Sequence, residues 1–211
     1  AGGMSEIYQE GLRIPVIRLF REGVLQQDLL DLLLLNVRVP HERRGDYFAQ
    51  ISACRLGERR LREVVAEHGL DRISSAFGEI VDRTRRRMAD SIEAIPDGHY
   101  TFRDVMDGDG IKSYDLPIEL AITVTGREVT FDFAGTCAQV PGNINVTLNA
   151  TQAAVCYSLK ALLDPDVPNN QGVLDSVRIL APVGSLVNSV FPAPVAARAN
   201  TCQRIIDVVL G

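Results

Sequence analysis

No uninterrupted apolar run in this sequence approaches the roughly 20 residues that cross a bilayer. Leu32 to Leu35 and Ala153 to Tyr157 stop far short. No signal-like charged and apolar segment opens the chain either, so a helical membrane span is excluded and a cytoplasmic protein is expected. Cysteine is sparse: Cys54, Cys137, Cys156 and Cys202 stand far apart with no CxxC. That spacing argues against a disulfide framework or a zinc knuckle and predicts reduced thiols. Cys54, with apolar neighbours, reads as a buried structural thiol. The three histidines, His41, His68 and His99, form no HxxH or HExxH. A nucleophile elbow, a P-loop and a GxGxxG are also missing, which leaves no phosphate cradle and no recognisable serine nucleophile. A net charge of −5 with pI about 5.2 argues against nonspecific nucleic-acid binding. There is no internal repeat and no low-complexity tract.

What is present suffices for a core: 211 residues, 46% of them apolar, enough for one large domain or two small ones. The pattern predicts an α+β fold, with a helical N-terminal half packed with a mixed sheet region that contains a β-hairpin. Pro96-Asp97-Gly98 is a turn that divides a helix-rich region, 1–95, from a β-rich region, 96–211, with the hairpin and two helices. The hairpin organises the second region. Ile118, Leu120, Ile122 and Val124 alternate with Glu119, Ala121 and Thr123, the period of a half-buried strand. Gly126-Arg127 suits a two-residue II′ turn. Closing it there pairs Val124 with Val129, Ile122 with Phe131 and Leu120 with Phe133, all on one face, with Asp132 and Thr130 on the other. A loop, AGTCAQVPGNINV, leads to a helix with Asn149 as cap, Gln152 three residues on, and Val155, Leu159 and Leu162 as its stripe. Asp164-Pro165 ends it.

Elsewhere, Ile14 to Phe20 reads as extended, since Pro15 disfavours helix at Ile14. Glu22-Gly23 is a turn. Leu25, Leu29, Leu32 and Leu33 have helical spacing, and Leu30, Leu34 and Leu35 add enough apolar surface that this helix should be covered on most sides. Residues 41–95 are helical, with a kink or break expected at Gly57, a C-cap at Gly69 and an N-cap at Asp71. Ile73, Phe77, Ile80 and Val81 are the expected stripe of the later part, and Arg83 to Arg87 a solvated face. Tyr100 to Val105 and Val177 to Leu180 are candidate strands, and Asp107 to Gly110 a turn. A last helix, capped by Asn200, would bury Ile205, Ile206, Val209 and Leu210. Its abrupt end and the uncapped start, Ala1 to Met4, suggest a piece of a longer polypeptide.

Two polar clusters could carry chemistry. Arg43, Arg44, Gly45, Asp46 and Gln50 form the first: Asp46 could cap the long helix, and Arg44 could bind a carboxylate or phosphate in bidentate fashion. The second is Asp132, Thr136, Gln139, Asn143 and Asn145, where Gly135 and Gly142 would let backbone approach a ligand closely. On residue chemistry alone, loop groups satisfying their own backbone account slightly better for this second cluster.

The stretches EIYQEGLRIPVIRLF, NVRVPHERRGDYFAQISACRLGERRL, VTFDFAGTCAQVPGNINV, CYSLKALLDPDVPNNQGVLDSVRILAPVGSLVN and QRIIDVVLG together resemble the hydantoinase B/oxoprolinase family. They cover about half of the residues and keep the family's order from end to end. The resemblance implies ATP-dependent opening of a small cyclic amide, or a related carboxylation as in acetone carboxylase alpha subunits. It implies an A-type partner subunit or domain that handles ATP, which fits the missing phosphate loop. It implies a divalent metal held by a His/Asp motif upstream of the EIYQEGLR-like segment, so this stretch would bind no cofactor itself and would be inactive alone. Residues 196–201, AARANT, depart from the Gly-Gly-Asn form of some members, which leaves substrate choice open. Asp46 and Asp132 are the candidate catalytic groups, and Arg44, Asn143 and Asn145 the candidate substrate-binding groups. A non-catalytic interaction domain, docking a partner through its apolar terminal helix and Arg-rich face, is the alternative.

Overall fold

The computed structural model describes residues 3–211; Ala1 and Gly2, part of the expected N-terminal loop, lie outside the described residues. The fold is α+β. In chain order it comprises β1 (Phe20–Arg21), β2 (Val24–Leu25), α1 (Gln27–Leu35), α2 (Pro40–His68), α3 (Leu70–Glu93), β3 (Gly98–Gly108), β4 (Ser113–Thr125), β5 (Glu128–Asp132), α4 (Leu148–Leu163), β6 (Val177–Leu180) and α5 (Arg198–Leu210). The chain divides into two compact units. One is Gly11–Gly78; the other joins the residues up to Glu10 to Glu79–Gly211. This division follows tertiary contact, whereas the sequence boundary at 95/96 follows the change from helical to β content.

The larger unit is built on a four-stranded sheet in the order β3-β4-β5-β6. The β4–β5 hairpin has the expected register, Ile122 opposite Phe131 and Val124 opposite Val129, with Gly126 at φ 56° in the turn. β3 is longer than expected and pairs antiparallel along most of β4. β6 pairs parallel to β5, so β5, α4 and β6 form a crossover unit. The alternation along β4 and β5 sends Ile118, Leu120, Val124, Val129, Phe131 and Phe133 into the core, where α4, α5 and the C-terminal part of α3 add Val155, Leu159, Ile205, Val208, Met88 and Ile92. Full burial of one such side chain contributes about 1.5–3 kcal/mol. The opposite face carries His99, Thr101, Arg103, Thr123, Thr130 and Asp132. Arg127, at the hairpin turn, pairs with Asp90 and with Glu93, and Arg87 pairs with Asp164 at the end of α4, tying α3 to the crossover. The rest of the basic run is the expected solvated face: Arg83 and Arg86 share Glu79, and Arg85 pairs with Asp82.

Several expected caps are replaced. α4 starts one residue before Asn149, whose Oδ1 instead accepts the Thr147 hydroxyl at 2.5 Å. The Thr147 carbonyl takes the Ala150 and Thr151 N–H groups. Leu162 falls off the buried stripe, at 62% exposure. α5 starts at Arg198, ahead of Asn200, because the chain before it is held by distant groups. In α5, Ile205 and Val209 are buried as expected, Ile206 is half-buried, and Leu210 stays exposed.

The Gly11–Gly78 unit is assembled differently. Glu22 and Gly23, both at positive φ, turn the short β1–β2 hairpin; Ile14 to Leu19 forms no strand. α1 ends at Asn36 as expected, but Leu30 is its buried residue while Leu32 and Leu35 are exposed, so it is open on one side. α2 is one 29-residue helix with no break at Gly57. Pro40, with its φ preset, opens it, so Asp46 lies in the second turn and is not a cap. Gly69 closes it, its N–H bonding the Val65 carbonyl at 2.8 Å. α3 begins at Leu70, which puts Asp71 inside the first turn. Phe77 and Ile80 are exposed, and the stripe of α3 that is buried lies further on, at Thr84, Met88 and Ile92. Cys54 is exposed rather than buried, since α2 buries no side chain.

Candidate functional site

The crossover from β5 to β6 leaves the 133–147 loop at the carboxyl end of two parallel strands, the position where open α/β sheets build ligand sites. Asp132 ends β5 half-buried, and its Oδ1 accepts the Ala134 N–H at 2.9 Å. Gly135 follows at φ 95°, pressed so closely on the Glu119 carboxylate that a Cβ would overlap it. The Thr136 hydroxyl then bonds both the N–H and the carbonyl of Glu119, each at 3.1 Å. Gln139 donates its N–H to the Gly184 carbonyl and receives the Val190 N–H on Oε1, both at 2.8 Å.

Asn145 is the internal staple of the loop. It is fully buried. Its Oδ1 accepts the Val140 N–H at 2.8 Å, and its Nδ2 reaches the carbonyls of Val140 (2.8 Å), Gly142 (2.9 Å) and Pro194 (3.0 Å). Buried backbone groups need such partners. Asn143, also buried, accepts the Ala197 N–H on its carbonyl at 2.8 Å. The Thr201 hydroxyl of α5 bonds the Ile144 carbonyl at 2.6 Å. The loop is thereby fastened to the 190–197 segment and to the first turn of α5.

A third segment joins them. Residues Ile7–Glu10 form a 3₁₀ turn whose Ile7 N–H bonds the Pro192 carbonyl at 3.1 Å. Tyr8 stands edge-on to Phe191, 5.7 Å between ring centroids. The Glu10 carboxylate receives the Val195 and Ala196 N–H groups at 2.5 and 2.7 Å, an anion at the positive end of α5. Three stretches remote in sequence, 6–10, 139–145 and 190–197, thus meet at one place.

The five candidates fall into two groups by location. Arg44 and Asp46 belong to the Gly11–Gly78 unit, on α2: the Arg44 guanidinium stacks over the Phe48 ring at 5.4 Å, and Asp46 pairs with Arg43 at 2.7 Å, both about half exposed. Asp132, Asn143 and Asn145 share the loop of the larger unit. Beside Asp132, on the open face of the sheet, Thr101, Arg103, Glu119 and Ala134 line a cleft of about 320 Å³, across which Arg103 pairs with Glu119 at 3.2 Å. Burial pushes the thiols of Cys137, Cys156 and Cys202 up, which makes them poor nucleophiles. Among the described residues no group of three or more His, Cys, Asp or Glu side chains is placed to hold a metal ion, so a metal does not fit the residues of this stretch.

Two carboxylates escaped the sequence reading. Glu10 stands inside EIYQEGLR, and its signal was the motif itself. Asp109 stands in the Asp-Gly-Asp-Gly segment, expected as a turn, whose first two residues prolong β3 and whose last two form the hairpin tip, and nothing local marks Asp109 as buried at 1% exposure.

The description Hydantoinase B/oxoprolinase belongs to the family model that matches residues 1–211. The chain is 35% identical over 216 residues to the B subunit of a putative D-/L-hydantoinase of Pseudomonas sp. (strain NS671), covering 97% of this chain and 36% of that protein. It is 33% identical over 207 residues to the beta subunit of the caprolactamase of Pseudomonas jessenii, again 97% of this chain and 36% of the other. The crystal structure of the ATP-dependent caprolactamase from Pseudomonas jessenii superposes with a TM-score of 0.90 at 30% identity, over 99% of this chain and 36% of that one. A nucleotide-free acetone carboxylase shares the fold, with a TM-score of 0.85 at 18% identity over 94% of this chain and 28% of that one. The chain therefore spans about a third of the length of the relatives it matches.

Proposed function

This chain belongs to the hydantoinase B/oxoprolinase family, and from that we propose that it is part of a B-type subunit of an ATP-dependent cyclic-amide hydrolase. Its partner in this reading is a hydantoinase A-type subunit or domain that handles ATP. The substrate is a small cyclic amide of the N-methylhydantoin or 5-oxoproline class, and the compartment is the cytoplasm. The divalent metal that the resemblance implies lies upstream of this stretch and is not held by it. One observation carries the reading: the 6–10, 139–145 and 190–197 segments, parts of the quoted family stretches or next to them, converge on one set of bonds.

Within that site, Asp132 ends β5 on the open face of the sheet and is the carboxylate that orients the substrate. Asn143 and Asn145 hold the loop in its binding shape, since the Asn145 amide is spent on backbone partners. Arg44 and Asp46 on α2 contribute charge for the activated substrate or its phosphate. The reading is tested by ATP-coupled hydrolysis of N-methylhydantoin, 5-oxoproline and caprolactam, using the complete subunit with its A-type partner. Turnover that falls in Asp132→Asn and Arg44→Ala supports it; turnover of none of the three amides overturns it.

A second reading, a non-catalytic interaction domain, draws on the Gly11–Gly78 unit, in which Leu30 alone is buried. Turnover that survives all five of the substitutions Arg44→Ala, Asp46→Asn, Asp132→Asn, Asn143→Ser and Asn145→Ser would favour it.

A further inference from the structure

We propose that Asp109 is a positioning residue for the amide-opening reaction, acting on the substrate loop through Gly142. The inference rests on the reading above, in which the 133–147 loop meets the substrate. Asp109 sits in the tip of the β3–β4 hairpin, 33 positions before the Gly142 that it touches. Its carboxylate is buried, Oδ1 accepting the Ile111 and Lys112 N–H groups at 2.8 Å each and Oδ2 the Tyr114 hydroxyl at 2.9 Å. Its own N–H bonds the Lys112 carbonyl at 3.1 Å. The hairpin tip is thus a rigid block, knotted around one carboxylate.

That block abuts the loop at Gly142. A Cβ on Gly142 would overlap the Asp109 carbonyl and crowd its Cβ, so backbone packs on backbone there and only glycine fits. Gly142 is followed by buried Asn143, and its own carbonyl is held by Asn145. Between Asp109 on one side and the Asn145 amide on the other, residues 140–145 have no freedom to re-form. Pro141, Tyr114 and Asp109 also wall one open cleft of about 500 Å³, which keeps this junction next to solvent and next to a place where ligand could enter. Replacing the carboxylate by an amide puts a donor where Oδ2 accepts the Tyr114 hydroxyl, and a buried group that loses its partner seeks a new one by moving. The loop would shift by the fraction of an ångström to an ångström that substrate placement does not tolerate.

The test uses the complete subunit with its A-type partner and three variants: Asp109→Asn, Tyr114→Phe and Asp132→Asn. Asp109→Asn is expected to raise KM for the cyclic amide about tenfold, Tyr114→Phe about threefold, with kcat and KM for ATP within twofold of the parent. A merely structural role would lower the melting temperature and leave KM in place, and that result overturns the proposal. If Asp109→Asn fails to fold, Tyr114→Phe decides alone, because it removes one hydroxyl and no volume of the carboxylate; an unchanged KM overturns the proposal. If all three variants behave as the parent, the loop is not a substrate loop and both readings fall. If Asp132→Asn alone is impaired, only the role of Asp109 falls.

Discussion

The two compact units have similar shares of apolar residues to spend and spend them in opposite ways. In the larger one, the sheet and three helices close on Phe131, Phe133, Ile118 and their neighbours, and the buried side chains of Asn145, Thr151 and Thr201 are bonded to backbone. In Gly11–Gly78, Leu30 is the one buried side chain, and α2 is held by pairs on its own surface such as Arg62 with Glu58 and Arg60 with Glu63. Leu35 and Val16 are among its most exposed residues. The lesson is that a long helix with good intrahelical pairs can form a defined element without owning a core. Such pairs contribute only about 0.3–0.5 kcal/mol each, so a fold of this kind is set by length and capping rather than by burial.

That contrast can be broken most sharply by truncating one side chain in each unit. Phe131→Ala is expected to cost about 3–5 kcal/mol, whereas Leu56→Ala on α2, at 46% exposure, should cost less than about 1 kcal/mol. Chemical denaturation of the two variants measures both, and equal losses would show that α2 has a hidden core. Next in size, Asn145→Ala leaves the Val140, Gly142 and Pro194 backbone groups unpaired and should cost about 3 kcal/mol. Hydrogen exchange at Val140 would report the loosened loop, and unchanged protection would refute the staple.

A pH series sharpens the same contrast. Burial alone would raise the Asp109 carboxyl, but the Lys112 and Ile111 N–H groups, the Tyr114 hydroxyl and the Gly142 N–H outweigh it and hold the carboxyl below its usual range. The folded value being depressed, the stability Asp109 contributes is complete above the unfolded value near 4 and is lost as pH falls through the folded one. Asp109→Asn should therefore lower the melting temperature at pH 7 and narrow its gap to the parent below about pH 4; a gap independent of pH would contradict this. The smallest effect belongs to α2. A double-mutant cycle on Arg43 and Asp46, about half exposed, should give a coupling below about 0.5 kcal/mol that vanishes in high salt.

How much of this was legible in the residues divides along local and distant physics. The β4–β5 register followed from alternation and one glycine turn, because a slip by one residue would turn Phe131 outward. β6, the end of α1 and the Gly69 cap were likewise local. The helix starts were not. Asn149, Asn200 and Asp71 are good caps by type, yet the chain before α5 is held by Glu10 and the Asn143 carbonyl, partners that lie 186 and 54 positions from Ala196 and Ala197. The side chains of Asp132, Thr136, Gln139 and Asn145 each bond backbone. What the residues did not announce was that Pro194, Glu10 and Gly142 would share one junction, since burial of a turn carboxylate depends on what packs over it.

The Glu10 clasp has a consequence for assembly of the chain. It joins residues separated by 185 and 186 positions, and closing a loop of that span carries an entropic cost that grows with the logarithm of its length. Nothing local repays that cost, so the hairpin and its crossover must exist before the clasp can engage. The Glu10 carboxylate thus acts together with the Ile7–Pro192 bond and the Tyr8–Phe191 contact as one clasp between remote parts of the larger unit.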